Sequence, residues 1–74
     1  MYCYIRTPGG ISPVGGNLEC VYARDDATEL KEGDARYLLG KAYGKWHDHK
    51  WQIEKVNNGK CVIKGESIHI GASD

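Results

Sequence analysis

The fold is decided by residues 51–64, which read Trp51-Gln52-Ile53-Glu54-Lys55-Val56-Asn57-Asn58-Gly59-Lys60-Cys61-Val62-Ile63-Lys64. Two runs of alternating residues flank an Asn-Asn-Gly triplet, a combination typical of a β-hairpin. A two-residue loop would pair Ile53 with Lys64 and mix charged side chains into both faces, whereas a three-residue loop pairs Ile53 with Ile63. We predict the three-residue register, with Gly59 supplying a positive φ.

This register divides the hairpin into an apolar and a polar face. The apolar face holds Trp51, Ile53, Cys61 and Ile63, and the polar face holds Gln52, Glu54, Val62 and Lys64. In so short a chain, an apolar sheet face is usually covered by a helix. Beyond the hairpin, residues 67–70 are predicted to add a short final strand.

The N-terminal part of the chain predicts a second hairpin. Tyr2 to Arg6 is rich in aromatic and β-branched residues, and Leu18 to Ala23 alternates between apolar and polar positions. Residues 8–17 between them contain both prolines and several glycines, which makes this segment a loop. We expect the two strands to pair around it.

The region between the hairpins predicts a helix. One helical face gathers Leu30, Leu38, Leu39, Ala42 and Tyr43. Residues 26–29, Asp-Ala-Thr-Glu, have the spacing of an N-cap followed by an acidic residue. Glycine costs about 1 kcal/mol relative to alanine in a helix interior, so Gly33 and Gly40 favour a helix that begins at Asp34. Its best-supported part is residues 35–43.

Together these elements predict a small α+β fold, with two β-hairpins packed on one central helix in the order ββαββ. A chain of 74 residues is long enough for a single domain, residues 1–74. The core is predicted to contain Ile5, Leu18, Cys20, Tyr22, Leu38, Trp51, Ile53 and Ile63.

An alternative interpretation treats residues 30–34 as a turn and Ala35 to Leu39 as a strand. The Gly33-Asp34 step, followed by this run and by a tryptophan-containing strand, resembles the start of SH3-like and Tudor-like barrels over about half of the chain. The resemblance implies a small SH3-like β-barrel. Residues 35–43 also resemble the first helix of a tetratricopeptide or Sel1-type repeat, although the chain holds no second copy.

The cysteines and the hydropathy bear on location. Cys3, Cys20 and Cys61 are odd in number and include no C-x-x-C pair, which argues against a disulfide framework. We therefore expect buried, reduced thiols and a cytoplasmic location. No stretch approaches the roughly 20 apolar residues that span a bilayer, so no membrane association is predicted.

Two charged regions are candidate binding surfaces, although the 10 basic residues balance the 10 acidic ones. An acidic stretch is predicted to bind another protein and consists of Asp25, Asp26, Glu29, Glu32 and Asp34. The segment 41–64 is locally basic and contains tryptophans, which suggests nucleic-acid binding as the alternative. Its candidate residues are Lys45, Trp46, Lys50, Lys55 and Lys60.

The sequence shows little indication of a metal site or of a catalytic site. His47 and His49 could form a metal site with Cys61 or His69, but no second ligand pair of defined spacing accompanies them. We therefore predict that the protein binds no metal and no other cofactor. No cysteine or serine has a recognisable base beside it, so the protein is not predicted to be an enzyme.

The remaining prediction is a non-catalytic binding module that acts by protein–protein contact. Chains of this size resemble the small inhibitory proteins of phages and other mobile elements, which implies an inhibitor or an accessory regulator. The loop at residues 8–17 is a further candidate contact surface. Exposed strand edges also permit a homodimer.

Overall fold

The computed structural model describes residues 2–7 and 17–68 of the chain. Four strands and one helix follow one another as β1 (Tyr2–Arg6), β2 (Glu19–Val21), α1 (Glu32–Lys45), β3 (His49–Lys55) and β4 (Cys61–Ser67). Short 3-10 turns lie at Arg24–Asp26 and Asn57–Gly59. No helix among these residues is long and apolar enough to cross a membrane.

The four strands form one antiparallel sheet in the order β2-β1-β4-β3. The α+β prediction is confirmed, because α1 packs on one face of this sheet. The two hairpins join each other directly through β1 and β4, a pairing that the sequence did not predict. The SH3-like barrel is wrong: Ala35 and Leu38, in the supposed strand, are buried three residues apart on one side of a helix.

The C-terminal hairpin has the predicted register. Ile53 is opposite Ile63, and Lys55 is opposite Cys61. Asn58 and Gly59 adopt φ values of 61° and 70°, so the turn uses positive φ at both positions. The predicted separate strand at 67–70 is not found as such, because β4 runs on to Ser67; residues 69 and 70 lie outside the described part of the chain.

The N-terminal hairpin is also present, although β2 is shorter than the predicted strand. Ile5 pairs with Cys20 across β1 and β2. A disulfide joins Cys3 to Cys20, which corrects the expectation of three reduced thiols. Both cysteines occupy the apolar sheet face of neighbouring strands, so their sulfurs meet although they are 17 residues apart in sequence. Disulfides persist mainly in oxidising compartments.

The helix is longer at both ends than residues 35–43. It begins at Glu32, and Lys31 before it makes no capping hydrogen bond with its side chain. The N-cap predicted at Asp26 is wrong, because Arg24–Asp26 form a separate 3-10 turn. Thr28 instead accepts a hydrogen bond at Oγ1 from the Thr7 N–H at 2.8 Å, which ties this segment to the end of β1.

The core lies between α1 and the sheet. Its buried members are Cys3, Ile5, Leu18, Leu30, Ala35, Leu38, Ala42, Trp51, Cys61 and Ile63. Cys20 and Ile53 pack against them while partly exposed. Tyr22 contradicts the predicted core, since β2 ends at Val21 and the tyrosine side chain is 71% exposed. Gly65 is enclosed because the Trp51 ring lies where its Cβ would be.

The chain crosses β1 after leaving β2. Residue 28 donates its N–H to the Ile5 C=O at 3.1 Å, and Leu30 exchanges two backbone hydrogen bonds with Cys61 of β4. The segment 28–30 therefore fills the gap between β1 and β4, on the opposite side of β1 from β2. Arg24 bonds to Glu54, which lies on the sheet face away from α1, so residues 22–27 cross over that face.

Candidate functional site

The face of the sheet away from α1, here called the open face, carries a second cluster of apolar side chains. Alternation along β1 and β4 places Tyr2, Tyr4 and Val62 on this face, opposite the core residues. Tyr4 and Val62 are buried although α1 packs on the other face of the sheet. Their cover is the crossing segment 22–27, which leaves part of the open face exposed.

A depression of about 780 Å³ lies at the edge of this cover and is lined by Tyr2, Tyr4, Tyr22 and Arg24. We call these four residues the tyrosine surface. Tyr2 is 48% exposed and Tyr22 is 71% exposed, whereas Tyr4 forms the buried floor. The lining is mostly apolar. Large aromatic side chains left exposed around a concave apolar surface are typical of a contact site.

Two cations flank the depression. Lys64 places its Nζ 4.0 Å from the centre of the Tyr2 ring. Arg24 donates from Nε to Glu54 Oε1 at 3.3 Å, which holds its side chain on the open face. The tyrosine surface thus combines three aromatic rings with an arginine, and Lys64 lies beside it.

The predicted acidic residues follow the tyrosine surface along the chain. Asp25 and Asp26 come directly after Arg24 in the 3-10 turn and are exposed. Glu29 is exposed in the segment that follows. Glu32 and Asp34 lie in the first turn of α1, where Glu32 accepts a hydrogen bond from Arg36 at 2.8 Å. Asp25 and Asp26 therefore border the tyrosine surface, while Glu32 is already paired.

The predicted basic residues do not share one surface. Lys45 donates from Nζ to the Leu18 C=O at 3.0 Å and lies 5.0 Å from the centre of the Trp46 ring. Lys50, Lys55 and Lys60 are exposed on β3 and in the turn after it. Lys50 belongs to the open face by alternation, whereas Lys55 is opposite the buried Cys61.

The two tryptophans of the basic segment pack inward. Trp51 is 3% exposed, and its Nε1–H donates to the Trp46 C=O at 3.0 Å. The two rings lie 5.7 Å apart in a tilted arrangement, and Trp46 packs against the core. Burial therefore removes Trp51 from stacking on a nucleic-acid base, and Trp46 is only partly exposed.

The histidines are placed apart from further ligands. His47 lies in a turn, and His49 begins β3, where it hydrogen bonds to Asp48 at 2.9 Å and stacks on Trp51. Within residues 2–7 and 17–68, no three metal-ligating side chains come together. Cys61 is a free thiol buried in the core, and His69 lies outside the described residues.

The long edge of the sheet, β3, is partly covered by the helix. Tyr43 donates its hydroxyl to the Trp51 C=O at 3.1 Å and accepts the Trp51 N–H at 3.3 Å. The His49 N–H donates to the Trp46 C=O at 3.2 Å. Among the described residues, no such bond reaches the outward backbone groups of Ile53, which leaves the second half of the edge open.

The tyrosine surface was not predicted from the sequence, in which the charged segments are the more conspicuous feature. A signal was present in β1, where Tyr2 and Tyr4 alternate with Cys3 and Ile5, so one face had to be aromatic. The contribution of Tyr22 had no local signal, since it depends on the crossing of residues 22–27.

The chain matches no protein-family model, no curated protein sequence and no solved structure.

Proposed function

We propose that this protein is a non-catalytic binding module that contacts another protein through the tyrosine surface. One observation supports the proposal above others: Tyr2, Tyr4 and Tyr22 surround an apolar depression on the face of the sheet that α1 leaves open. Tyrosine is enriched in protein interfaces because it buries a large rigid ring while its hydroxyl still forms hydrogen bonds. Arginine, here Arg24, is enriched there as well.

The charge distribution favours a protein over a nucleic acid. Two cations on the open face are paired with carboxylates: Arg6 lies 3.8 Å from Glu19, and Arg24 lies 3.3 Å from Glu54. Nucleic-acid affinity depends on several cations that neutralise phosphates together, and these two pairs reduce what the open face supplies. The alternative function rests on Lys50, Lys55 and Lys60 without help from the tryptophans.

The acidic residues keep a proposed role at the rim of the contact. Asp25 and Asp26 are placed to steer a partner that carries basic residues near the docking site. An inhibitor or accessory regulator of the phage or mobile-element type would act in this way, by occupying a surface on its target. The cytoplasmic location stays a prediction, against which the Cys3–Cys20 disulfide weighs.

The experiment compares tyrosines on opposite sides of the molecule. Tagged wild-type protein is used to capture its partner from source cells, and affinities are then measured with the purified pair. Tyr22→Ala and Tyr2→Ala should each weaken binding at least about tenfold, as truncated hot-spot residues do. Tyr37→Ala is the matched control, because Tyr37 is 53% exposed but lies on α1.

Two results would contradict the proposal. Equal affinities for the Tyr22 and Tyr37 variants would place the contact elsewhere. The nucleic-acid alternative would instead be supported by retention on single-stranded oligonucleotides that falls steeply with salt and is abolished by charge reversal at Lys50, Lys55 and Lys60.

Charge reversal at Asp25 and Asp26 should mainly slow association with the partner protein and make the association rate less sensitive to salt.

A further inference from the structure

We infer that the depression binds a planar aromatic side chain of the partner with a carboxylate close beside it. This inference rests on the proposed function and adds the chemistry of the anchoring residue. It follows from three properties of the tyrosine surface: the shape of its lining, the sign of the charges beside it, and the way in which Arg24 is held.

The lining suits an aromatic ring. Tyr4 forms a buried floor, and Tyr2 and Tyr22 rise beside it with half or more of their surfaces exposed. Aromatic rings gain from offset-stacked and edge-to-face contacts with other rings beyond the area that they bury. Three rings around one depression offer such contacts from several sides, which an aliphatic side chain cannot use.

The charges beside the depression favour an anion. Lys64 already lies over the Tyr2 ring, and Arg24 belongs to the lining itself. A second cation on these rings would face both positive groups, whereas a carboxylate would be attracted by them. Among the described residues, neither Lys64 Nζ nor the Nη atoms of Arg24 has a carboxylate partner.

Glu54 acts on this arrangement as a positioning residue. It accepts the Nε–H of Arg24 at 3.3 Å and so restrains a side chain that is otherwise 49% exposed. The terminal nitrogens remain to donate, and a guanidinium donates to a carboxylate in a planar, directional geometry. A restrained arginine loses less conformational entropy when it binds than a free one does.

The nearby carboxylates define the competing outcome. Asp25 and Asp26 follow Arg24 in the chain and are exposed outside the lining of the depression. A cationic aromatic ligand would bind between these carboxylates and the ring of Tyr22. The sign of the preferred ligand charge therefore separates the two arrangements.

The test uses three indole probes that differ in charge. Indole-3-acetate, 3-methylindole and tryptamine are titrated into the folded, oxidised protein, and amide chemical shifts locate and quantify binding. We expect indole-3-acetate to bind about fivefold more tightly than 3-methylindole, as an exposed Arg–carboxylate pair gives up to about 1 kcal/mol. Tryptamine should bind most weakly, with shifts centred on residues 2–4, 22–24 and 64 for all three.

Variants assign the preference to individual side chains. Arg24→Gln should bring indole-3-acetate to the affinity of 3-methylindole, while Arg36→Gln, a control at an exposed helical arginine, should change neither. Glu54→Gln keeps an oxygen that can accept the Arg24 Nε–H but removes the negative charge, so it should raise the preference for the anion and leave ring binding unchanged. Tyr22→Ala should weaken all three probes about threefold to tenfold, the effect of losing an aromatic contact.

The inference and the proposed function can fail separately. Preferred binding of tryptamine, or no saturable shifts on the tyrosine surface at millimolar probe, would overturn the inference. Partner binding that still depends on Tyr2 and Tyr22 would leave the proposed function standing in that case. Conversely, anion-selective probe binding with a partner affinity insensitive to both tyrosines would identify a small-molecule site and reject the protein contact.

Discussion

The two hairpins of this protein reach their pairing by different physical means. The β3–β4 hairpin closes through Asn57–Gly59, where two residues with positive φ match the twist of the strands and fix the register locally. In the β1–β2 hairpin, β2 contributes only Glu19–Val21 to the sheet. The pairing of β1 with β2 is stabilised by contacts between residues distant in sequence, namely the Cys3–Cys20 disulfide and the burial of Leu18 in the core.

This difference separates most of the core from the candidate site. Most of the core face is supplied by β3, β4 and α1, whereas the tyrosine surface is supplied by β1 and the segment that follows β2. The β3–β4 hairpin, whose turn is strongly indicated by its sequence, thus supplies most of the core. The β1–β2 hairpin, whose sequence signal is weaker, carries the candidate site. The predictions that follow break one hairpin and then the other.

The largest effect is expected in the β3–β4 hairpin. Ile63 is fully buried between α1 and the sheet, so Ile63→Ala should lower the free energy of unfolding by about 2–5 kcal/mol. Ile68→Ala is the control, because Ile68 is 59% exposed and should change stability by no more than about 0.5 kcal/mol. Urea unfolding of both variants measures the difference, and equal midpoints would contradict the placement of Ile63 in the core.

The next largest effect is expected in the β1–β2 hairpin. Reduction of the Cys3–Cys20 disulfide should cost about 3 kcal/mol, the value that chain entropy gives for a loop of this size. The measurement is the thermal midpoint with and without a phosphine reductant. A Cys3→Ser, Cys20→Ser double variant serves as the control, since the reductant should not change its midpoint.

A thiol count gives an independent check of the same bond. The oxidised protein should show one thiol after denaturation, from Cys61, and very little reaction while folded because that thiol is buried. Three reactive thiols in freshly purified protein would show that the disulfide does not form. That result would restore the expectation of reduced cysteines and a reducing compartment.

Local patterns were sufficient for the strands and the turn. Alternation placed Ile53 and Ile63 on one face, and keeping charged side chains off that face selected the three-residue loop and therefore the register. Helical spacing of Leu38, Leu39 and Ala42 located α1, because residues three and four apart share a face. Gly33 and Gly40 did not shorten the helix as expected, since both are exposed and tertiary packing outweighs a weak propensity.

The features that escaped prediction all depend on contacts distant in sequence. An odd number of cysteines says nothing about which two strands will be neighbours, so the Cys3–Cys20 pair could not be foreseen. Tyr22 continues the alternation of Leu18 and Cys20, yet the strand ends one residue earlier and the chain crosses the open face. The position of Thr28 between β1 and β4 likewise replaces the helix cap that its sequence context favours.

The smallest expected effect concerns the two edges of the sheet. β2 is short, whereas β3 offers seven residues to any strand that approaches it. Tyr43 protects the middle of β3, since its hydroxyl occupies both backbone groups of Trp51 that point away from β4. Unpaired edge groups of this kind are templates for pairing with another chain.

Tyr43→Phe removes this protection while keeping the ring. The loss of the two hydrogen bonds should lower the free energy of unfolding by about 1 kcal/mol, the net value of one such bond, because the site is partly exposed to water. The outward groups of Trp51, Ile53 and Lys55 would then form a continuous open edge by alternation along the strand. Analytical ultracentrifugation should therefore detect self-association at lower concentration than for the wild type.

Tyr37→Phe is the matched control, an exposed helical tyrosine whose hydroxyl bonds to no described residue, and it should change neither quantity. A Tyr43→Phe protein that loses stability but stays as monomeric as the control would show that Lys50 and Lys55, the charged side chains along β3, are enough to prevent edge pairing.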